Sequence, residues 1–125
     1  MFSDKKKILI IDDEADLIAL AKQRLEAGGY RVFYAEDGED GIKMAAKEKP
    51  DLILLDIMMP KKDGFEVLQH LKSDANMWNI PVVMLTVRTE TEAMFKAKDL
   101  GAVDYFIKTD DWQELVKYIS RYLSR

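Results

Sequence analysis

Short runs of consecutive apolar residues recur along the chain, and each is followed by a segment whose apolar residues return every three or four positions. Runs without a polar face are typical of strands buried on both sides of a parallel sheet. The predicted strands cover residues 8–11, 30–35, 52–55, 80–86 and 103–107. The intervening segments predict helices whose apolar positions lie within residues 15–25, 42–46, 65–71, 93–100 and 115–123.

Turn and capping residues separate these elements. Residues 36–38 have the composition of a turn, Thr89 or Thr91 is the candidate N-cap of the fourth helix, and Asp110 or Asp111 is that of the fifth. Strand and helix alternate five times, which predicts right-handed βαβ units and a parallel sheet covered on both faces. In such sheets a ligand binds at the carboxyl ends of the strands.

Composition limits the classes of protein to consider. The 125 residues are enough for one domain, which we expect to span residues 1–125 with residues 1–5 flexible. A net charge of −4 argues against direct nucleic-acid binding, and the absence of cysteine excludes disulfides and thiolate metal sites. No apolar run approaches the roughly 18 residues that a membrane span requires. We therefore expect a cytoplasmic protein.

Polar residues stand at the carboxyl ends of four predicted strands: Asp12 and Asp13 after the first, Asp56 after the third, Thr86 at the end of the fourth and Lys108 after the fifth. If the first and third strands are neighbours, three carboxylates converge. Two charges ~4 Å apart repel by roughly 4 kcal/mol at an effective dielectric constant of 20, and one lysine offsets only one of them. Mg²⁺, a hard cation that prefers oxygen ligands, would balance the rest. Such a site suits phosphoryl transfer to Asp56 as the nucleophile.

Glu14 extends the first acidic group to three consecutive residues. Acids at this position are favoured by the dipole of the helix that follows, so the group alone has a purely structural explanation. The combination with Asp56, Thr86 and Lys108 makes that explanation insufficient for Asp12 and Asp13. Glu14 itself receives no functional role from the sequence.

Four motifs in order resemble those of a response-regulator receiver domain, the phospho-accepting module of two-component signalling that chemotaxis receivers also contain. They are Ile-Leu-Ile-Ile-Asp-Asp-Glu over 8–14, Asp-Leu-Ile-Leu-Leu-Asp-Ile-Met-Met-Pro-Lys-Lys-Asp-Gly over 51–64, Val-Met-Leu-Thr over 83–86 and Leu-Gly-Ala-Val-Asp-Tyr-Phe-Ile-Lys over 100–108. The resemblance covers about residues 6–124. It implies a flavodoxin-like (βα)5 α/β sandwich of three layers, with a parallel five-stranded sheet in the order 2-1-3-4-5.

The resemblance also implies the chemistry of the site. Asp56 would accept a phosphoryl group from a sensor histidine kinase or a phosphotransfer protein. Asp13, Asp56 and the backbone carbonyl of Met58 would bind Mg²⁺ directly, and Asp12 would bind it through a water molecule. The domain would catalyse only its own phosphorylation and dephosphorylation, so it is not an enzyme acting on other substrates.

The remaining roles implied by the resemblance concern the response to phosphorylation. Lys108 would pair with Asp56 and then with the phosphoryl oxygens. Thr86 and Tyr105 would act as the switch, although a buried tyrosine is also an ordinary core residue. The fourth helix, fifth strand and fifth helix would form the face read by a downstream effector, in a monomer or a phosphorylation-dependent dimer.

One departure from the family pattern concerns the peptide bond after Lys108. The family usually has a proline there and a cis bond, whereas this chain has Thr109. A cis bond before a residue other than proline costs about 3–4 kcal/mol, so we expect a trans bond. Two alternative functions are a degenerate receiver that binds proteins independently of phosphorylation, and a phosphatase or transferase with an aspartate nucleophile. The second would need an acid where the chain has Met58.

Overall fold

The computed structural model describes residues 5–59, 61–87, 90–108 and 111–123. Within them strands and helices alternate five times, as the apolar pattern predicts. The elements are β1 (Lys7–Ile11), α1 (Ala15–Ala27), β2 (Arg31–Ala35), α2 (Gly38–Glu48), β3 (Leu52–Asp56), α3 (Gly64–Ser73), β4 (Val82–Thr86), α4 (Thr91–Asp99), β5 (Asp104–Ile107) and α5 (Trp112–Leu123).

The five strands are parallel and form one sheet in the order β2-β1-β3-β4-β5, which confirms the expected flavodoxin-like arrangement. Strand order reverses between β1 and β3, because β2 lies on the far side of β1. The two strands pair in register, with Ile11 opposite Leu55. The residues that follow these two positions, Asp12 and Asp56, therefore leave the sheet side by side.

Helices cover both faces of the sheet. Alternate strand residues such as Ile10 and Leu54 pack with α1 and α5, whereas Ile11 and Leu55 pack on the opposite side with residues of α2, α3 and α4. The last four residues of β1 and all five of β3 are buried, which explains the continuous apolar runs 8–11 and 52–55. This double coverage holds both strands rigidly at the centre of the domain.

The start of α2 lies earlier than the sequence suggests. Residues 36–38 read as a turn, but the helix begins at Gly38 because Asp37 caps it: its Oδ1 accepts a hydrogen bond from the Asp40 backbone N–H at 2.8 Å. The prediction of a turn is correct only for the residues that precede the helix.

The structure bears differently on the predicted N-caps of α4 and α5. Thr91 is the first residue of α4 rather than its cap, because Glu90 occupies the N-cap position. Asp111 precedes α5, and its Oδ1 accepts a hydrogen bond from the Gln113 N–H at 2.9 Å, which supports its predicted capping role. The alternative caps, Thr89 and Asp110, lie outside the described residues.

Two further expectations fall on residues outside the described ranges. Residues 1–4, which we expect to be flexible, are not among the described residues. Neither is Thr109, which forms the peptide bond after Lys108 that we expect to be trans. Lys5 is exposed. In the described part of the chain, no helix is both long and apolar enough to cross a membrane.

A core substitution tests this packing. Leu54, at the centre of β3, is fully buried, so Leu54→Ala should lower the free energy of unfolding by about 2–5 kcal/mol. The matched variant Leu20→Ala shortens a leucine on the exposed side of α1 and should change it by about 0.5 kcal/mol. Urea denaturation measures both values. Equal effects of the two substitutions would contradict the double coverage of β3.

Candidate functional site

Three carboxylates meet at the carboxyl edge of the sheet, as the sequence predicts. Asp12 and Asp13 follow β1, Asp56 ends β3, and one carboxylate oxygen from each lies within 4.8 Å of the others. Asp12 is 0% exposed and Asp56 only 3%, whereas Asp13 is exposed. The site therefore has two charges inside the protein and one at its surface.

The Asp12 side chain is fixed by the turn that leads into α1. Its backbone N–H donates to the Ala35 carbonyl at 3.1 Å, which continues the pairing of β1 with β2. Its Oδ1 accepts a hydrogen bond from the Glu14 N–H at 2.9 Å. These contacts hold the Asp12 carboxylate at the end of the strand.

Asp56 is held by the loop between β3 and α3. Its Oδ1 accepts a hydrogen bond from the Met58 N–H at 3.3 Å, and the Gly64 N–H donates to the Ile57 carbonyl at 2.7 Å. A Cβ atom at position 64 would lie 2.1 Å from the Asp56 carbonyl oxygen, so only glycine fits where α3 begins. The close approach of α3 thus shapes the backbone around Asp56.

Lys108 supplies the positive charge of the site. It follows β5, and its backbone N–H donates to the Thr86 carbonyl at 2.8 Å. Its Nζ lies 2.6 Å from Glu14 Oε1, 2.8 Å from Asp12 Oδ2 and 3.2 Å from Asp56 Oδ2, and its side chain is only 7% exposed. A single ammonium group is therefore shared among three carboxylates.

The electrostatics of the site follow from burial. Burial, together with the nearby Asp12 charge, raises the pKa of Asp56 to about 6, although Lys108 acts in the opposite direction. Burial likewise raises the pKa of Asp12. Burial alone would lower the pKa of Lys108, but its contacts with Asp12 and Glu14 outweigh this effect and raise it. The lysine therefore stays charged, while the buried carboxylates are costly to ionise.

The donor set fits a hard divalent cation. All of the converging ligand atoms are carboxylate oxygens, the type that Mg²⁺ prefers. Among the described residues no hydrogen bond of good geometry reaches the buried Asp12 Oδ2, which the Lys108 ammonium contacts as an ion pair. This oxygen therefore retains capacity for a bound water molecule. The Met58 backbone, whose N–H reaches Asp56, also lies beside the cluster.

The two predicted switch residues lie at different depths. Thr86 ends β4 at the same edge as the carboxylates and is buried. Tyr105 lies in β5 opposite Met84, half-buried, where it packs against the core on the α4 side. Together with Met94 and Phe95 of α4, it lines a groove of about 300 Å³ between α4 and β5. Tyr105 is thus set between the core and the surface.

Glu14 is a residue of this cluster that the sequence does not single out. The sequence assigns it only to an acidic helix terminus, but its carboxylate makes the shortest of the three contacts with the Lys108 ammonium. The available signal was its position two residues after Asp12, at the carboxyl end of the strand neighbouring β3. The solvent-exposed His70 of α3, by contrast, lies on the helix surface and takes no part in the site.

Comparison with known proteins identifies the family to which this arrangement belongs. The family model described as the response regulator receiver domain matches residues 8–120. The chain is a member of the response-regulator receiver domain family. Receiver domains are in general signalling modules of two-component systems.

Similar proteins support this assignment. The chain is 42% identical over 120 residues to the alkaline phosphatase synthesis transcriptional regulatory protein PhoP of Bacillus subtilis, covering 96% of this chain and 49% of PhoP. It is 37% identical over 118 residues to protein PilH of Pseudomonas aeruginosa, covering 94% of this chain and 98% of PilH. The receiver therefore spans about half of one relative and nearly all of the other.

Solved structures agree with the fold. The BeF3-activated N-terminal receiver domain of Klebsiella pneumoniae RstA superposes with a TM-score of 0.89 at 30% sequence identity, covering 96% of this chain and 100% of that one. The chemotaxis protein CheY4 of Vibrio cholerae gives a TM-score of 0.90 at 28% identity, covering 95% and 99%. The chain is thus similar in fold both to the N-terminal receiver domain of RstA and to the chemotaxis protein CheY4.

The raised pKa of Asp56 predicts that its ionisation destabilises the fold. The folded carboxyl titrates near pH 6 and the unfolded one near 3.8, so between these values the folded state binds more protons and stability falls as pH rises. Without divalent cations, Asp56→Asn should therefore raise the free energy of unfolding by about 2–3 kcal/mol at pH 7.5.

Urea denaturation at pH 7.5 and pH 4 tests this expectation. The advantage of Asp56→Asn should shrink markedly at pH 4, where the parent carboxyl is protonated. Glu36→Gln removes an exposed carboxylate after β2 and should stay within about 0.5 kcal/mol of the parent. An Asp56→Asn variant less stable than the parent at pH 7.5 would contradict the described electrostatics.

Proposed function

We propose that this domain is a phosphorylation-dependent switch whose acceptor is Asp56. The observation that supports it is a buried carboxylate at the end of a central strand, in contact with the Lys108 ammonium and within 4.8 Å of two further acids. Residues 1–125 would act as one receiver domain in the cytoplasm. A sensor histidine kinase or a phosphotransfer protein would be the donor, as the family implies.

The acceptor chemistry follows from the charge state of Asp56. With a pKa of about 6, its carboxylate is mostly ionised near pH 7 and is available as a nucleophile. One carboxylate oxygen forms a bond to phosphorus while the bond from phosphorus to the donor breaks, and the leaving group takes the electron pair. Lys108 contacts Asp56 Oδ2 and would pair with the phosphoryl oxygens that arrive there.

The metal site would use Asp13, Asp56 and the Met58 carbonyl as direct ligands and Asp12 through a water molecule. When bound, Mg²⁺ would supply positive charge that offsets the carboxylates and the phosphoryl oxygens. The protein's own contribution is to hold the carboxylates together before phosphorylation. The hydrogen bonds to Asp12 and Asp56 described above serve that purpose.

The response to phosphorylation would run from Thr86 to the surface formed by α4, β5 and α5. The Thr86 hydroxyl would hydrogen-bond to the phosphoryl group, and Tyr105 would move inward from its half-buried position. The movement of Tyr105 would alter the groove that it shares with Met94 and Phe95. A downstream effector protein or domain would read this surface, or a second copy would bind in a phosphorylation-dependent dimer.

Phosphorylation by a small donor tests the proposal. The parent, incubated with Mg²⁺ and acetyl phosphate, should gain the mass of one phosphoryl group in intact mass spectrometry. Asp56→Asn removes the nucleophile and should gain none, whereas Asp99→Asn, which changes an exposed acid at the end of α4, should behave as the parent. Adding EDTA should abolish the adduct in the parent and in Asp99→Asn.

The same experiment separates this function from the alternative of a phosphorylation-independent interaction module. An intact parent that binds Mg²⁺ yet forms no adduct would favour the interaction module. An adduct that persists in Asp56→Asn would assign the acceptor to another residue.

A further inference from the structure

The shortest contact of Lys108 is with a residue outside the proposed metal and acceptor set. Glu14 Oε1 lies 2.6 Å from the ammonium nitrogen, compared with 3.2 Å for Asp56 Oδ2. Glu14 and Lys108 are 94 positions apart in sequence, so this contact joins the turn between β1 and α1 to the residue that follows β5. Glu14 therefore competes with the acceptor for the same positive charge.

The local structure of Glu14 directs its carboxylate toward the lysine. Glu14 is the N-cap residue of α1, yet its side chain makes no capping hydrogen bond in the described first turn. Its backbone N–H is held by Asp12 Oδ1, which fixes where its side chain starts. The Glu14 side chain is 58% exposed, so Glu14 forms the solvent-facing side of the ammonium's surroundings.

Phosphorylation increases the negative charge that the Lys108 ammonium has to neutralise. The phosphoryl group adds negative charge at Asp56. Among the described residues, Lys108 is the cation that lies within ion-pair distance of that carboxylate. Lys108 then has to shift its contact from Glu14 toward the phosphoryl oxygens, or divide it between the two. Glu14 also places a negative charge beside the route by which an anionic donor reaches Asp56.

We propose that Glu14 is a positioning residue that restrains Lys108 in the resting state and thereby slows phosphorylation and weakens the phosphorylated form. This inference rests on the proposed function of Asp56. It assigns a regulatory role to an ion pair rather than to the acceptor or the metal ligands. A receiver without this carboxylate should accept a phosphoryl group more readily.

The test compares two substitutions that separate contact from charge. Glu14→Gln keeps the length of the side chain and removes its charge, whereas Glu14→Asp keeps the charge and withdraws it from the ammonium. Both should increase the rate of adduct formation from acetyl phosphate by about two- to fivefold, the range expected for a partly exposed ion pair. Asp16→Asn removes an exposed charge from the same helix turn and should leave the rate unchanged.

A second readout avoids transfer chemistry. Beryllofluoride mimics the phosphoryl group without forming an acyl phosphate. Its binding can be followed by isothermal titration calorimetry. Both Glu14 variants should lower the beryllofluoride concentration at half-saturation by a similar factor. Thermal unfolding confirms that each variant remains folded.

The outcomes separate the two proposals. If the parent forms the adduct but Glu14→Gln reacts at the parental rate or more slowly, the role of Glu14 is wrong and the acceptor assignment stands. If Glu14→Gln and Asp16→Asn both accelerate adduct formation and Glu14→Asp does not, general charge repulsion explains the effect and the contact with Lys108 does not. This outcome would also overturn the proposed role of Glu14. A parent that forms no adduct would overturn both proposals.

Discussion

The structure of this domain depends on one ammonium group that serves more carboxylates than it can neutralise. The pairing of β1 with β3 brings Asp12 and Asp56 together, and β5 delivers Lys108 to the same edge of the sheet. Because the flanking strands are buried on both faces, the carboxylates cannot move apart without disrupting the core. The resulting excess of negative charge destabilises the folded state at this edge of the sheet and favours the binding of a cation there.

This constraint links stability to signalling. Because burial raises the pKa of Asp56 to about 6, ionisation of this carboxylate destabilises the folded state. Any group that compensates its negative charge reduces this destabilisation. Thr86 ends β4, the strand next to β3, and Lys108 follows β5, the strand beyond it, so a change at Asp56 would be passed on to β4 and β5. The groove beside Tyr105 is the nearby surface on which such a change would be visible to a partner.

The sequence predicts the parts of this arrangement that depend on local patterns. Apolar runs locate β1 and β3 because both are buried on two faces, and each run stops at the carboxylate that matters. The sequence does not predict where α2 starts, because Gly38 resembles a turn residue, whereas the cap by Asp37 makes it the first residue of the helix. The position of Glu14 two residues after Asp12 does not by itself predict its contact with Lys108, because that contact also depends on the strand order and on one side-chain orientation.

The central claim is that the carboxylate edge lacks positive charge, and the stability of the domain as a function of Mg²⁺ concentration tests it most directly. The account predicts that the free energy of unfolding of the parent rises by about 1.4 kcal/mol per tenfold increase in Mg²⁺ above the dissociation constant. Asp56→Asn should show a much weaker dependence, and Asp99→Asn should match the parent. A parent whose stability is unaffected by Mg²⁺, or an Asp56→Asn variant with the parental dependence, would contradict the account.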